Sequence, residues 1–172
     1  MTLFEPIPQV AILGARGIGQ VHARLFQKSG ANVCAILGST MRTARQAAEG
    51  LHQSFGISPK PFDNLEKLIQ EAQPDALSIC TPAEYHFDQV LTAFEQGVPV
   101  FCEKPLFWEN DLSPESLDIK LTLLGEHKKR CISVNTCNAY FLENALEETG
   151  RPSIINSFSL RFYTQGHHQG KE

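Results

Sequence analysis

Along this chain, short runs that are apolar almost throughout alternate with longer stretches in which apolar residues return every three or four positions. The first pattern suits parallel strands covered on both faces, the second helices with one buried face. Val10–Leu13, Ala31–Leu37, Ala76–Cys80, Val98–Cys102 and Cys131–Asn135 therefore read as strands. Residues 57–63, broken by Pro59 and Pro61, read as a loop with room for one more short strand. The spacing predicts a helix from Ile18 to a stop at Ser29-Gly30, with Ile18, Val21, Leu25 and Phe26 sharing a face. Further helices are predicted at Met41–Ser54, at Leu65–Ala72 with Leu65, Leu68 and Ile69 as its stripe, and from the turn at Ala83–His86 to Gln96. Another starts at Ser113 as cap with Pro114 in first position, and carries Leu117, Leu121 and Leu124 along one side. Strand and helix in regular alternation predict an α/β fold with a doubly wound parallel sheet over residues 1–134.

Beyond that point the pattern changes. A helix is predicted at Asn138–Glu148, and in the run 152–164 Ile154, Asn156, Phe158, Leu160 and Phe162 alternate with Ser153, Ile155, Ser157, Ser159, Arg161 and Tyr163. Such alternation marks a half-buried strand of another kind of sheet, so residues 135–172 read as the incomplete beginning of an α+β domain. One such strand cannot bury its apolar face alone. The expectation is a homo-oligomer pairing through residues 152–164, or a fragment of a longer protein.

Composition narrows the class. The 172 residues are 42% apolar and 20% charged with a net charge of −4, which fits a globular protein and gives no basic surface for nucleic acid. No apolar run approaches the roughly 20 residues that span a bilayer, and the first residues lack the basic and apolar regions of a signal peptide. A cytoplasmic protein without a membrane partner is expected. Cys34, Cys80, Cys102, Cys131 and Cys137 form no C-x-x-C pair and read as small buried apolar residues, with no metal site.

Candidate chemistry gathers at the strand ends. After the first strand come Gly14, Arg16, Gly17, Ile18 and Gly19, a turn whose free amides face the start of a helix and suit a pyrophosphate. Gly14 and Gly19 hold the outer places of the dinucleotide fingerprint G-x-G-x-x-G. Arg16 stands where the middle glycine belongs, with Gly17 beside it to supply the freedom of φ. Arg16 either displaces the pyrophosphate outward or reaches over it as a cation. At the end of the second strand, where NAD-binding domains place an acid for the ribose 2′-hydroxyl, Gly38 is followed by Ser39, Thr40 and Arg42, with Arg45 close by. Hydroxyls and a guanidinium receive a 2′-phosphate that a carboxylate would repel, which favours NADP, with NAD still possible. The same Ser39 or Thr40 also suits a helix cap. Ligands of doubly wound sheets lie beyond the carboxyl ends of the strands, so Thr81, Pro82 and His86 are expected beside the cofactor. Glu103-Lys104-Pro105-Leu106 follows the strand at 98–102: either Lys104 holds a substrate oxygen with Glu103 fixing its orientation, or the two are an ordinary surface pair.

Gly14–Gly19 with His22-Ala23, Cys80-Thr81-Pro82 with His86, and Glu103-Lys104-Pro105-Leu106, in this order, resemble the Gfo/Idh/MocA family of oxidoreductases, which includes glucose-fructose oxidoreductase and inositol dehydrogenase. The resemblance implies a Rossmann domain binding NAD or NADP, then an α+β domain that forms the substrate pocket and commonly the oligomer interface. It implies hydride transfer between the nicotinamide and a sugar, polyol or related hydroxy or keto compound. Lys104 would then be the catalytic residue, orienting the reacting oxygen and assisting its proton. The chain departs from the family pattern at Arg16, at Asn135–Asn138, which lacks a frequent arginine, and in having no catalytic histidine with a preceding aspartate after Lys104. His167 and His168 match by type only. The expected function is an NADP-dependent dehydrogenase, with weak or absent turnover in this short chain; the alternative is a non-catalytic NADP sensor or regulator of the same fold.

Overall fold

The computed structural model describes residues 6–127 and 132–134, with 147, 148 and 150 beyond them. Two compact units divide the chain, Met1–Thr136 and Cys137–Glu172, and the described elements belong to the first. The expectations for Cys131, Cys137, the strand at 152–164, His167 and His168 fall outside the described residues.

Six strands form one parallel sheet: β1 (Gln9–Leu13), β2 (Asn32–Leu37), β3 (Lys60–Phe62), β4 (Ala76–Ile79), β5 (Val100–Cys102) and β6 (Ile132–Val134). Their order is β3-β2-β1-β4-β5-β6, with every neighbouring pair parallel. That is the doubly wound order of a Rossmann sheet, with its switch point between β1 and β4. The short strand foreseen between Pro59 and Pro61 is β3, and it tolerates Pro61 because it lies at the sheet edge.

Five helices connect the strands: α1 (Ile18–Lys28), α2 (Met41–Phe55), α3 (Leu65–Ala72), α4 (His86–Glu95), preceded by a 3-10 turn at Ala83–Tyr85, and α5 (Pro114–Glu126). Side chains of β1 alternate between two cores: Val10 and Ile12 pack with Ala23, Leu51 and Ile57, whereas Ala11 and Leu13 pack with Leu68, Val90 and Phe94. In β2 the register slips between the pairs Val10–Val33 and Ala11–Ala35. This bulge at Cys34 puts Val33 and Ile36 on one face despite their odd spacing.

Two expected apolar stripes turn out differently. The residues that α1 buries are Gly19, His22 and Ala23, while Ile18, Val21 and Leu25 are about half exposed. Small residues face the sheet because the helix lies close to it at the glycine turn, which leaves the large ones outside. Leu25 and Phe26 then line an apolar groove of about 450 Å³ with Pro99, Val100 and Phe101. Helix α5 buries none of its residues, and only Leu124 of its predicted stripe packs on the core. Its main anchor is Lys120, which pairs with Glu109 at 2.6 Å and stands 3.9 Å over the Phe87 ring.

The caps match the sequence. Ser113 accepts from the Ser116 amide at 3.1 Å, with Pro114 at the start of α5. A Ser113→Ala variant is expected to lose about 1 kcal/mol, read as a lower urea midpoint with unchanged slope.

Candidate functional site

Because all strands run the same way, the loops after β1, β2, β4 and β5 lie along one edge of the sheet. Backbone bonds lock their first residues together: Gly14 N–H to Leu37 O at 3.0 Å, Cys80 N–H to Leu13 O at 2.8 Å, and Glu103 N–H to Ile79 O at 2.9 Å.

The first of these loops is the glycine turn. Gly14 and Gly17 both have positive φ, 81° and 57°, so Gly17 does supply the conformation that the misplaced middle glycine leaves open. A side chain on Gly19 would fall on the Gly14 carbonyl oxygen. The third glycine is thus required by the packing of α1 on β1. Helix α1 starts with no side-chain cap: the Gly19 and Gln20 amides make turn bonds to the Arg16 and Gly17 carbonyls at 3.3 and 3.2 Å, and Arg16 and Gly17 are exposed beside the helix start. This turn, crowded for a Cβ at Gly14 and Gly19 and open at Gly17, fits the pyrophosphate of a dinucleotide.

The second loop lacks the acid for a packing reason. A Cβ on Gly38 would stand 2.5 Å from the Ala44 amide nitrogen, so α2 in this position admits only glycine there. Thr40 is the helix cap: its Oγ1 accepts from the Thr43 amide at 3.2 Å, and Thr43 Oγ1 in turn accepts from the Thr40 amide at 3.0 Å. Ser39 and Arg42 are exposed at the same rim. Asp63 and Asn64 both suit a cap for α3 by sequence; Asn64 is that cap, and Asp63 instead accepts from the Met41 amide at 3.1 Å.

The third and fourth loops are joined by His86. It is 1% exposed, with Nε2 2.7 Å from the Thr81 carbonyl oxygen and Nδ1 2.9 Å from that of Pro105. Both nitrogens are engaged by backbone, so His86 braces the site from beneath and presents no ring atom to a cofactor. Thr81 is half-buried, its hydroxyl 2.6 Å from Gln89 Oε1, and Pro82 is exposed. Lys104 is exposed, joined to Pro105 by a cis peptide bond. Its neighbour Glu103 is buried and does not hold the ammonium group: Glu103 Oε1 lies 2.9 Å from His22 Nε2, and Oε2 accepts from the Lys104 backbone amide at 3.3 Å. The surface-pair expectation for Glu103 and Lys104 is likewise set aside by that burial.

With this geometry in view, comparison with known proteins decides the kinship. The sequence model of the GFO_IDH_MocA oxidoreductase family, NAD-binding Rossmann fold, matches residues 9–136. The chain belongs to this family. Among Gfo/Idh/MocA relatives, it is 33% identical over 100 residues to an inositol 2-dehydrogenase of Paracoccus denitrificans, covering 57% of this chain and 29% of that protein. It is 30% identical over 99 residues to D-glucoside 3-dehydrogenase of Escherichia coli, covering 56% of this chain and 27% of that one. The fold matches scyllo-inositol dehydrogenase from Lactobacillus casei, solved with NAD(H) and scyllo-inositol, at a TM-score of 0.66 and 18% identity, over 85% of this chain and 42% of the other. The chain thus spans well under two thirds of the length of these Gfo/Idh/MocA proteins.

His22 is the site residue whose role sequence reading missed. It was visible only as part of a motif, because its partners Ser78, Cys80 and Glu103 come from strands far along the chain. Its Nδ1 is 2.8 Å from Ser78 Oγ and 3.1 Å from Cys80 Sγ, and its ring leans on Phe101 with centroids 5.3 Å apart. Burial pushes the Cys80 thiol up to about 12, with the Glu103 charge adding to the effect, so this cysteine is not a reactive thiol.

Proposed function

We propose that this chain is the cofactor-binding part of an NADP-dependent dehydrogenase acting on a sugar, polyol or related hydroxy or keto compound. The observation that carries this reading is the glycine turn itself, with no room for a side chain at Gly19 and no side-chain cap on the helix start beside Arg16. Family membership supports the oxidoreductase chemistry, and the names of the inositol and glucoside dehydrogenases support the substrate class. Once bound, the cofactor supplies or accepts a hydride at its nicotinamide ring. Gly17 and Ile18 would hold the pyrophosphate with their backbone amides, Gly14 and Gly19 would let it approach, and Thr81 and Pro82 would line the crevice.

The preference for NADP rests on Gly38, which removes the acid that reads a free ribose, and on Ser39 and Arg42 at the open rim. Asp63 opposes it, but its carboxylate is already directed at the Met41 amide. Lys104 would orient the reacting oxygen by a charge-assisted hydrogen bond.

Trp108 is the single tryptophan, and its amide binds the Ala83 carbonyl at 3.4 Å, beside the site. Energy transfer from Trp108 to a reduced nicotinamide therefore reports binding. NADPH is expected to bind about tenfold more tightly than NADH, and Arg42→Ala to abolish that preference by weakening NADPH alone. Equal affinities in the parent chain would overturn the NADP assignment; no binding of either nucleotide would overturn the whole reading. A panel of sugars and inositols then separates a dehydrogenase from an NADP sensor.

A further inference from the structure

His22, Ser78, Cys80 and Glu103 form a polar cluster beneath the glycine turn, each less than 10% exposed. The order Ser78–His22–Glu103 has the connectivity of a serine–histidine–acid relay. Ser78 is wholly enclosed within β4, however, so no substrate reaches its hydroxyl. The cluster must serve something else, and the direction of its hydrogen bonds shows what. A carboxylate only accepts, so the proton on the imidazole edge facing Glu103 sits on Nε2. Glu103 Oε1 accepts from that Nε2–H while Oε2 accepts from the Lys104 amide. One carboxylate thus joins helix α1, which opens at the glycine turn, to the backbone of Lys104, the second residue after β5.

We propose that His22 is a positioning residue for Lys104: through Glu103 it fixes the backbone from which the Lys104 side chain departs, in a frame shared with the glycine turn. This rests on the reading of Lys104 as the group that meets the reacting oxygen. Without His22 the carboxylate loses a donor in a poorly solvated place, swings toward water and releases the Lys104 amide. His22 lies one helical turn beyond Gly19, so the pyrophosphate seat and Lys104 are held by the same short stretch of α1.

The test uses this chain without and with nucleotide. In the free protein, amide hydrogen exchange at Lys104 is expected to be about tenfold faster in His22→Phe, which keeps a ring against Phe101. His22→Gln, whose side-chain amide still reaches Glu103, is expected to recover most of the protection. The double variant His22→Phe/Glu103→Leu leaves no stranded carboxylate, so it regains thermal stability while Lys104 stays fast. Wild-type exchange in His22→Phe, or wild-type exchange returning with stability in the double variant, would overturn the proposal. With ligand, His22→Phe is expected to weaken NADPH by about tenfold and adenosine 2′,5′-bisphosphate by less than about twofold. Equal weakening of both would mean general loosening and would also overturn it. Failure of the parent chain to bind NADPH would instead sink the functional reading, while the exchange experiment still decides the role of His22.

Discussion

Gly19→Val is expected to abolish NADPH binding and to lower the melting temperature by about 10 °C. The reason is steric and local. A Cβ at residue 19 falls on the Gly14 carbonyl oxygen, an atom of rigid backbone that belongs to the turn leaving β1. Gly14 has no room to retreat, since its own Cα faces the Cys80 carbonyl and Thr81 closely enough that a Cβ there would sit 3.0 Å from each. Helix α1 must therefore lift from the sheet, at a cost of about 3 kcal/mol or more, as in severe overpacking. The lift also carries away the amides that would hold the pyrophosphate, so binding and stability fall together. Gly50, in the middle of α2 with open space around it, gives the control: Gly50→Ala is expected to raise stability by about 0.5–1 kcal/mol with NADPH affinity unchanged. Thermal unfolding followed by circular dichroism, with a nucleotide titration on each variant, reads both effects. A Gly19→Val protein that melts like the parent would contradict the packing argument.

The contrast between these two glycines shows what is legible in a sequence. Local chemistry is legible: the strand runs, the Thr40, Asn64 and Ser113 caps and the Gly56 stop all stand at or beside the places the residues require. So is the edge where the loops gather, because parallel topology brings the carboxyl ends of β1, β2, β4 and β5 together. Contacts across the chain are not. Glu103 next to Lys104 looks like a charge pair, and only the approach of α1 shows that its partner is His22. His86 looks like a ligand by its place after Thr81-Pro82, but the Thr81 carbonyl takes one ring nitrogen and the Pro105 carbonyl, from the loop after β5, takes the other. Amphipathic spacing finds a helix without saying which side is buried: in α1 the distance to the sheet selects Gly19 and Ala23 and leaves Ile18 and Val21 outside. Gly38 is an instructive intermediate case. Its lack of a carboxylate reads as nucleotide choice in the sequence, whereas the structure adds that α2 would admit no side chain there.

High pH is expected to unfold this protein through two thiols at the end of the sheet. Burial, aided by the neighbouring charges, pushes Cys80 and Cys102 up to about 12, against an ordinary 9.0. Below pH 9 both states keep these protons and the stability is fully present. Between about 9 and 12 the unfolded chain releases protons that the folded chain still binds, so stability falls as pH rises through that window. At about 1.4 kcal/mol per proton and pH unit, the two thiols account for a loss of at most about 8 kcal/mol, comparable to the whole stability of many small domains. They do not titrate independently: charge on Cys80 is among the causes that raise Cys102, and Glu103 raises both. Cys102→Ala should therefore remove its own contribution and flatten the fall in urea midpoint between pH 8 and 10.5, even if the lost sulfur lowers the midpoint at neutral pH. Lysines and tyrosines that titrate in the same range act alike in both proteins, so the difference in slope isolates the thiol. Parallel slopes for parent and variant would mean that Cys102 ionises as easily in the folded chain as in the unfolded one, which its complete enclosure between β4 and the loop after β5 argues against.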